Sequence, residues 1–220
     1  MSGRLSRLAP LTGVLFAVLV VVGVFTSSSE TPEANSSSAK VIAYYGTHGS
    51  EVETSAILFA LAFLVIVLFA GVLRSYLRRT PAVEGLSALV LAGSVLMAAG
   101  ALISSGVEYG LAHNLSHLSP ATAQTMNLLS QELFLPIIGG AFLFAICSGL
   151  AILRGAALPK WLGWVAIVLG IAALIPPASF PALIGFVIWS IIVSILMYLR
   201  TDPVAPAPST DAPSMVGASG

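Results

Sequence analysis

Six long apolar runs, separated by short polar segments, dominate the pattern of hydrophobic and polar positions along the chain. The clearest extends from Ala56 to Leu73 and contains no charged residue, no side-chain amide and no proline. An α-helix rises about 1.5 Å per residue, so this run is nearly as long as the hydrocarbon core of a bilayer is thick. The pattern predicts six membrane-spanning helices. The predicted spans cover approximately residues 8–25, 55–73, 86–107, 133–153, 161–175 and 182–199.

The composition leads to the same fold class. The 220 residues are 57% hydrophobic and 8% charged, whereas soluble domains carry roughly 25% charged residues. So few charges cannot cover a water-facing surface of this size, and we expect the lipid bilayer to be the main partner of the chain. The predicted fold is an all-α membrane protein. It is a bundle of six transmembrane helices with short interfacial helices in the outer loops.

The basic residues predict the orientation of the bundle, because cytoplasmic segments next to spans carry an excess of Lys and Arg. With a cytoplasmic N-terminus and six spans, Lys40 is the one basic residue of nine that falls outside. The other eight fall inside: Arg4, Arg7, Arg74, Arg78, Arg79, Arg154, Lys160 and Arg200. We therefore predict a cell-membrane protein with both termini cytoplasmic. Residues 1–7 form its N-terminal segment, and residues 201–220, rich in Pro, Ala and Ser, form a disordered tail.

The first apolar run has two interpretations. Basic residues precede it and a polar segment follows it, which is the pattern of a signal peptide, with residues 37–39 (Ser-Ser-Ala) as a cleavage site. The run from Leu8 to Phe25 is longer than the 7–15 residues that are typical of a signal-peptide core. This length favours an uncleaved anchor.

The segment before the second span contains a predicted short helix from Ala39 to Thr47, which carries two tyrosines suited to the membrane interface. We expect residues 26–38 to form a flexible loop and His48-Gly49 to end the short helix. Ser50 and Glu53 then match a capping box, which predicts a new helix start.

The second outer loop is predicted to cover residues 108–132. A Ser-Pro pair at 119–120 is a typical helix start, and Met126, Leu129 and Leu133 then share one helical face. This spacing predicts an amphipathic helix that leads into span four.

The chemistry of the chain argues against several classes of protein. No Asp, Glu, Lys, Arg or His lies inside a predicted span, whereas ion pathways and proton relays use such residues. No common catalytic or nucleotide-binding motif is present, so we predict no enzymatic activity and no cofactor. The single cysteine, Cys147, excludes an internal disulfide. A net charge of zero and the lack of a basic patch exclude nucleic acid as a partner.

The polar residues of the outer loops offer a candidate metal site. His113 and His117 are four residues apart, and on a helix both would point to one side, within reach of one metal ion. Glu108 and Glu132 bracket the same loop at the membrane edge. Additional candidates come from the first outer loop: His48, Glu51 and Glu53. The alternative is that these side chains are simply solvated, since residues 114–116 suit a turn as well as a helix.

Two features of the predicted spans suggest different functions. Small residues on one face of spans three to five permit close helix packing, either within the bundle or with another membrane protein or a second copy. Pro136 and the pair Gly139-Gly140 lie near the start of span four. They could interrupt the helix, as in transporters with discontinuous helices, or represent the ordinary use of Pro and Gly in membrane helices.

Three short stretches carry a resemblance to known sequences: the residues Tyr44, Tyr45 and His48, the exit at Leu73-Arg74, and the stretch Leu158–Trp164 (LPKWLGW). In these features the chain resembles uncharacterised multi-span integral membrane proteins from high-GC bacteria, over most of residues 1–200. The resemblance implies a bacterial cytoplasmic membrane and carries no functional residue with it.

The leading prediction is a non-enzymatic membrane protein of accessory or structural type. It would act by packing with itself or another membrane protein, or through contacts of its outer loops. The first alternative is a small transporter or channel for a neutral solute. The second is an outer-face metal-binding protein that uses His113, His117, Glu108 and Glu132.

Overall fold

A computed structural model of the chain describes residues 8–27, 31–78, 83–155 and 158–200, and every regular element in these ranges is helical. The α-helices are α1 (Thr12–Thr26), α2 (Ser38–Leu77), α3 (Glu84–His113), α4 (Pro120–Glu132), α5 (Phe134–Gly155), α6 (Lys160–Ala173) and α7 (Pro176–Arg200). Short 3-10 turns precede α1 and follow α3. The all-α class is therefore confirmed. The predicted N-terminal segment 1–7 and tail 201–220 lie outside the described residues.

Among the described residues, five helical stretches are long and apolar enough to cross a membrane. They are Ala9–Thr26, Ser38–Leu77, Glu84–His113, Pro120–Gly155, in which α4 and α5 join, and Pro176–Arg200. Helix α6 is also apolar, but its 14 residues span only about 21 Å at the usual helical rise. Five of the six predicted spans are thus long enough to cross a membrane.

Six of the helices pack side by side into a closed ring, in the order α1, α2, α3, α5, α6, α7 and back to α1. Neighbours in the ring are antiparallel. In α3 and α5, for example, Gly100 meets Pro136 near one end while Gly93 meets Phe144 further along. Direction therefore alternates around the ring.

The two ends of the ring differ in character. One end of the ring contains the C-terminal ends of α2, α5 and α7 and the start of α6. The basic residues at this end are Arg74, Arg78, Arg154, Lys160 and Arg200. We call this the basic end. The other end is covered by α4 and by residues 31–37, and we call it the capped end. Of the described basic residues, only Lys40 belongs to the capped end.

Direct contact between helix backbones holds one side of the ring together. A Cβ atom built on Gly140 of α5 would lie only 2.7 Å from the carbonyl oxygen of Gly93 of α3. A Cβ atom on Gly163 of α6 would lie 2.8 Å from the carbonyl oxygen of Gly149 of α5. Such approaches are possible only for glycine. The glycines at these crossings therefore serve contacts inside the bundle, whereas Ala88, Ala92 and Ala99 of α3 are exposed.

Large aromatic side chains fill the space between α1, α5 and α7. The rings of Phe144 and Phe186 meet edge to face with centroids 5.2 Å apart, and Phe186 stacks on Trp189 at 6.0 Å. The Trp189 indole donates a hydrogen bond of 3.0 Å to the carbonyl oxygen of Leu162. Phe16 joins this cluster from α1, so the first helix is an integral part of the core.

Helix α2 is longer than predicted, because it begins at Ser38 and continues to Leu77. The predicted stop at His48 is only a kink, where φ is −112° and ψ is 15°. The predicted cap at Ser50 is wrong, since this residue lies inside the helix and its carbonyl accepts a hydrogen bond from Thr54 Oγ1. Burial of Val41 and Tyr45 against α3 and α4 explains why the chain stays helical before the kink.

One prediction about the capped end also needs correction. Residues 108–113 belong to α3, so the predicted loop 108–132 contains only a short connection between helices. Helix α4 occupies the position of the predicted amphipathic helix, and Leu129 on its apolar face is 48% exposed. The buried positions of α4 are Ala123, Asn127 and Ser130.

A strap made of residues 31–37 explains this polar buried face. Three side-chain amides of α4 donate hydrogen bonds to backbone carbonyls of the strap. Gln124 bonds to Ser36 at 3.0 Å, Asn127 to Glu33 at 3.2 Å and Gln131 to Pro32 at 2.8 Å. The described part of the segment predicted as a flexible loop is therefore docked.

The prolines of the later spans begin helices and do not interrupt them. Helix α5 is one element from Phe134 to Gly155, with Pro136 in its first turn, so the break considered for span four is absent. Pro176 and Pro177 begin α7, and Pro181 lies further along inside the same helix, which continues to Arg200. Proline is tolerated in a first helical turn because its missing N–H would have no helical partner there.

The glycine contacts predict a contrast between two adjacent positions. In Gly140→Ala the new methyl group meets the backbone of α3, so we expect the free energy of unfolding to fall by about 1–3 kcal/mol. At Gly139, where nothing lies within 4 Å of a built Cβ atom, alanine should leave stability unchanged or raise it by up to about 1 kcal/mol. Thermal unfolding in detergent measures both; equal effects at the two positions would contradict this packing.

The strap generates a second prediction. Replacing Gln124, Asn127 and Gln131 together by alanine removes three hydrogen bonds worth about 1 kcal/mol each. We expect the strap to detach, and a cysteine introduced by Ser36→Cys to react several-fold faster with a maleimide than in the otherwise unchanged protein.

Thr125→Ala is the matched control, because this hydroxyl bonds only to the carbonyl of Ala121 in its own helix, at 2.9 Å. The native Cys147 is buried and adds little background. Fast labelling at position 36 before any amide is removed would show that the strap is not docked.

Candidate functional site

A cavity of about 440 Å³ lies between α1, α2, α3, α5 and α7, toward the capped end. Its size falls within the range of roughly 300–1,000 Å³ that is typical of sites for small molecules. Its lining is almost wholly apolar, with phenylalanines from four helices. These are Phe16 and Phe25 of α1, Phe59 and Phe63 of α2, Phe134 of α5, and Phe180 and Phe186 of α7. We call this cavity the Phe pocket.

The aromatic cluster closes the deep end of the Phe pocket. Phe16 packs against Phe63 with centroids 6.0 Å apart, and against Phe186 at 6.4 Å. Met97 of α3, which is 1% exposed, completes this floor.

The polar side chains of the lining all come from α3: Ser104, Ser105 and Glu108. Ala101, Ser105 and Glu108 recur at helical spacing, so one face of α3 forms this wall. The Ser104 hydroxyl is already used, since it donates a 3.0 Å hydrogen bond to the carbonyl oxygen of Ser130.

Among the described residues that line the Phe pocket, Glu108 is the one ionisable residue. Its carboxyl group is partly buried, and among the described residues it has neither a hydrogen bond nor an ion pair. A carboxylate that leaves water without a partner loses solvation energy. The site therefore holds an acidic group that no described side chain pairs with.

The rim of the pocket meets the surface that faces lipid. On α1, Val24 is 50% and Phe25 is 80% exposed, and on α7, Phe180 is 66% and Ile184 is 51% exposed. All four side chains line the pocket. The cavity is therefore open to the exposed apolar surface of the bundle between α1 and α7.

The other predicted site residues are dispersed. His113 ends α3, where its Nδ1 lies 3.3 Å from Glu53 Oε1 and its ring stacks on Tyr109 at 5.5 Å. His117 lies on the 3-10 turn after α3, and Glu132 ends α4. The two histidines therefore do not share a face of one helix.

The first outer segment contributes less than expected to a metal site. The His48 ring donates a 3.2 Å hydrogen bond to the carbonyl of Tyr44 at the kink of α2. A shallow cavity of about 550 Å³ brings His113 and Glu53 together, but not His117, Glu108 or Glu132. Within the part of the chain that the structure describes, no three His, Cys, Asp or Glu side chains are grouped to hold a metal ion. The metal site stays a prediction.

The Phe pocket is the feature that reasoning from sequence missed. The sequence predicts Glu108 to lie in a loop, whereas it lies on α3 and lines the same cavity as phenylalanines of other helices. One signal was present in the sequence, since Ala101, Ser105 and Glu108 share a helical face at the end of an apolar run. The phenylalanines opposite this face belong to other helices, and only the arrangement of the helices in the ring shows that they lie next to it.

No protein-family model matches the chain, and neither a curated protein nor a solved structure matches it. The assignment of function therefore depends on the geometry of the site.

Proposed function

We propose that this protein is a non-enzymatic, six-span protein of the cell membrane that binds an apolar molecule from the bilayer in the Phe pocket. One observation carries the proposal: a cavity of about 440 Å³, lined by seven phenylalanines, lies beside lipid-facing side chains of α1 and α7. A water-soluble ligand would find few polar partners there, whereas a hydrocarbon chain fits the lining.

The path of the chain supports a sixth crossing. Helices α5 and α7 both run from the capped end to the basic end, so α6, which joins them, returns the chain across the membrane. The 14-residue helix gains length from flanking apolar residues, namely Leu158 before it and Leu174 and Ile175 after it. Trp161 and Trp164, 51% and 61% exposed, lie near the basic end, where an aromatic belt is expected.

The charges support the orientation. Five of the six described basic residues lie at the basic end, which we assign to the cytoplasm together with both termini. The capped end, with the short helix α4 and the exposed Leu128 and Leu129, then faces outward at the membrane interface. Residues 8–27 belong to the mature protein in this proposal, because Phe16 is buried in the core.

The binding function explains the site better than the alternatives do. The transporter hypothesis began from a break in span four, and α5 is continuous there. The accessory hypothesis depends on small-residue faces, and the glycines on those of α3, α5 and α6 are occupied by one another, which leaves the exposed Ala88, Ala92 and Ala99 of α3. An enzyme would need a nucleophile beside a base, whereas the Phe pocket offers one carboxyl and two hydroxyl groups on the same wall.

The sixth crossing predicts the location of the C-terminus. A fluorescent protein fused after residue 220 should fluoresce, and alkaline phosphatase fused there should be inactive, since both then lie in the cytoplasm. Phosphatase fused within the turn after α6 should be active. An active phosphatase at the C-terminus would mean that α6 does not cross and that the chain has five spans.

The Phe pocket predicts that a neutral hydrocarbon probe binds inside the bundle. Hexadecanol with a photoreactive diazirine near its chain end should label the pocket floor, at Phe16, Phe63 and Phe186, in protein held in lipid discs. Ala101→Phe fills the cavity and should abolish this labelling.

Ile103→Phe is the matched control, because Ile103 lies two residues away and is 56% exposed to lipid. It should leave labelling of the floor intact. Thermal unfolding verifies that both variants fold. Labelling spread evenly over the lipid-facing surface, and unaffected by Ala101→Phe, would rule out a binding pocket.

A further inference from the structure

We propose that the natural occupant of the Phe pocket is an amphiphile with an amine head group, held by Glu108, and a hydrocarbon chain that extends to the aromatic floor. This inference rests on the proposed binding function and adds the chemical class of the ligand to it.

The charge of Glu108 is the first argument. Its carboxyl group is the one ionisable group among the described residues of the lining, and no described residue forms a hydrogen bond or an ion pair with it. The described ion pairs at each end use other acids, since His113 contacts Glu53 and Arg78 contacts Glu84, both at 3.3 Å. A buried charge is costly without a partner, and an ammonium group would supply both the opposite charge and hydrogen bonds.

The position of Glu108 is the second argument. Along α3, Glu108 lies about three helical turns from Met97, a distance of roughly 16 Å. Met97 forms part of the floor, and the wall between them is Ala101, Ser104 and Ser105. The pocket is thus polar at the end near Glu108 and apolar over the rest of its length. This matches an amphiphile whose head group lies toward the capped end.

The aromatic residues at the rim are the third argument. Phe25 ends α1, whereas Phe134 and Phe180 begin α5 and α7, so all three lie toward the end of the ring where Glu108 lies. A cation near aromatic faces gains additional stabilisation, whereas an anionic head group would meet the carboxylate and the negative ring faces. Charge complementarity therefore favours an amine over a fatty acid or a phosphate monoester.

The test compares three probes with one chain length and one diazirine position: hexadecylamine, hexadecanol and palmitate. In the unchanged protein we expect the amine to label the floor about tenfold more efficiently than the alcohol, which corresponds to about 1.4 kcal/mol. Palmitate should label least. Glu108→Gln should make the amine and the alcohol equal.

Glu132→Gln is the matched control, because it removes an exposed carboxyl group outside the pocket and should preserve the preference for the amine. A phosphatidylethanolamine with the same diazirine on one chain distinguishes the source of the amine. Efficient labelling by this lipid assigns a membrane lipid, and labelling by hexadecylamine alone assigns a free hydrophobic amine.

The outcomes separate this inference from the proposed function. If the alcohol labels the floor as well as the amine does, or if Glu108→Gln preserves the preference, the amine assignment is wrong and the apolar pocket stands. If no probe labels the floor, both fail. Thermal unfolding of Glu108→Gln should show a stability at least equal to that of the unchanged protein, since an unpaired carboxyl group is lost.

Discussion

Backbone contact between Gly93 and Gly140, and between Gly149 and Gly163, is the constraint on which the rest of the structure depends. In a bilayer, helices gain nothing by hiding apolar side chains from one another, because lipid is equally apolar. Association must then come from close packing, and two glycines allow two helix backbones to touch. Helices α3, α5 and α6 are joined in this way, and the remaining helices are arranged around this rigid unit.

The Phe pocket follows from the difference between the two sides of the ring. Where glycines meet, no space remains between the helices. Where α1 and α7 approach α3 and α5, the separation is set by aromatic rings such as Phe144, Phe186 and Trp189, whose centroids lie 5.2–6.2 Å apart. These rings fill the middle of the bundle but not its capped end, so a cavity remains there above them. The rigid side keeps α3, and therefore Glu108, in a fixed position relative to the opening.

The features that depend on local periodicity and composition could be predicted from the sequence. The all-helical class follows from the apolar runs, and the predicted span 86–107 lies inside α3. Properties that depend on pairing between distant segments were missed. Asn127 is buried and donates a hydrogen bond to the carbonyl of Glu33, 94 residues earlier, a pairing that the sequence of α4 alone does not predict. Glu108 was predicted as a candidate for a metal site in a loop. Its neighbours in the structure are phenylalanines of other helices, which the sequence around Glu108 does not reveal.

The polar groups between the aromatic floor and the basic end argue for a binding function and against conduction of a solute. Conduction of a solute would require polar groups that replace its water along a continuous path. Instead, the buried Ser94 and Ser190 hydroxyls donate to carbonyls of their own helices, at Leu91 and Val187. Two further buried hydroxyls, those of Ser148 and Ser194, have no partner, and isolated hydroxyls do not form a continuous path. In the proposed binding function, a molecule in the Phe pocket would meet an aromatic floor beyond which the described residues form no continuous polar route, so it would enter and leave between α1 and α7.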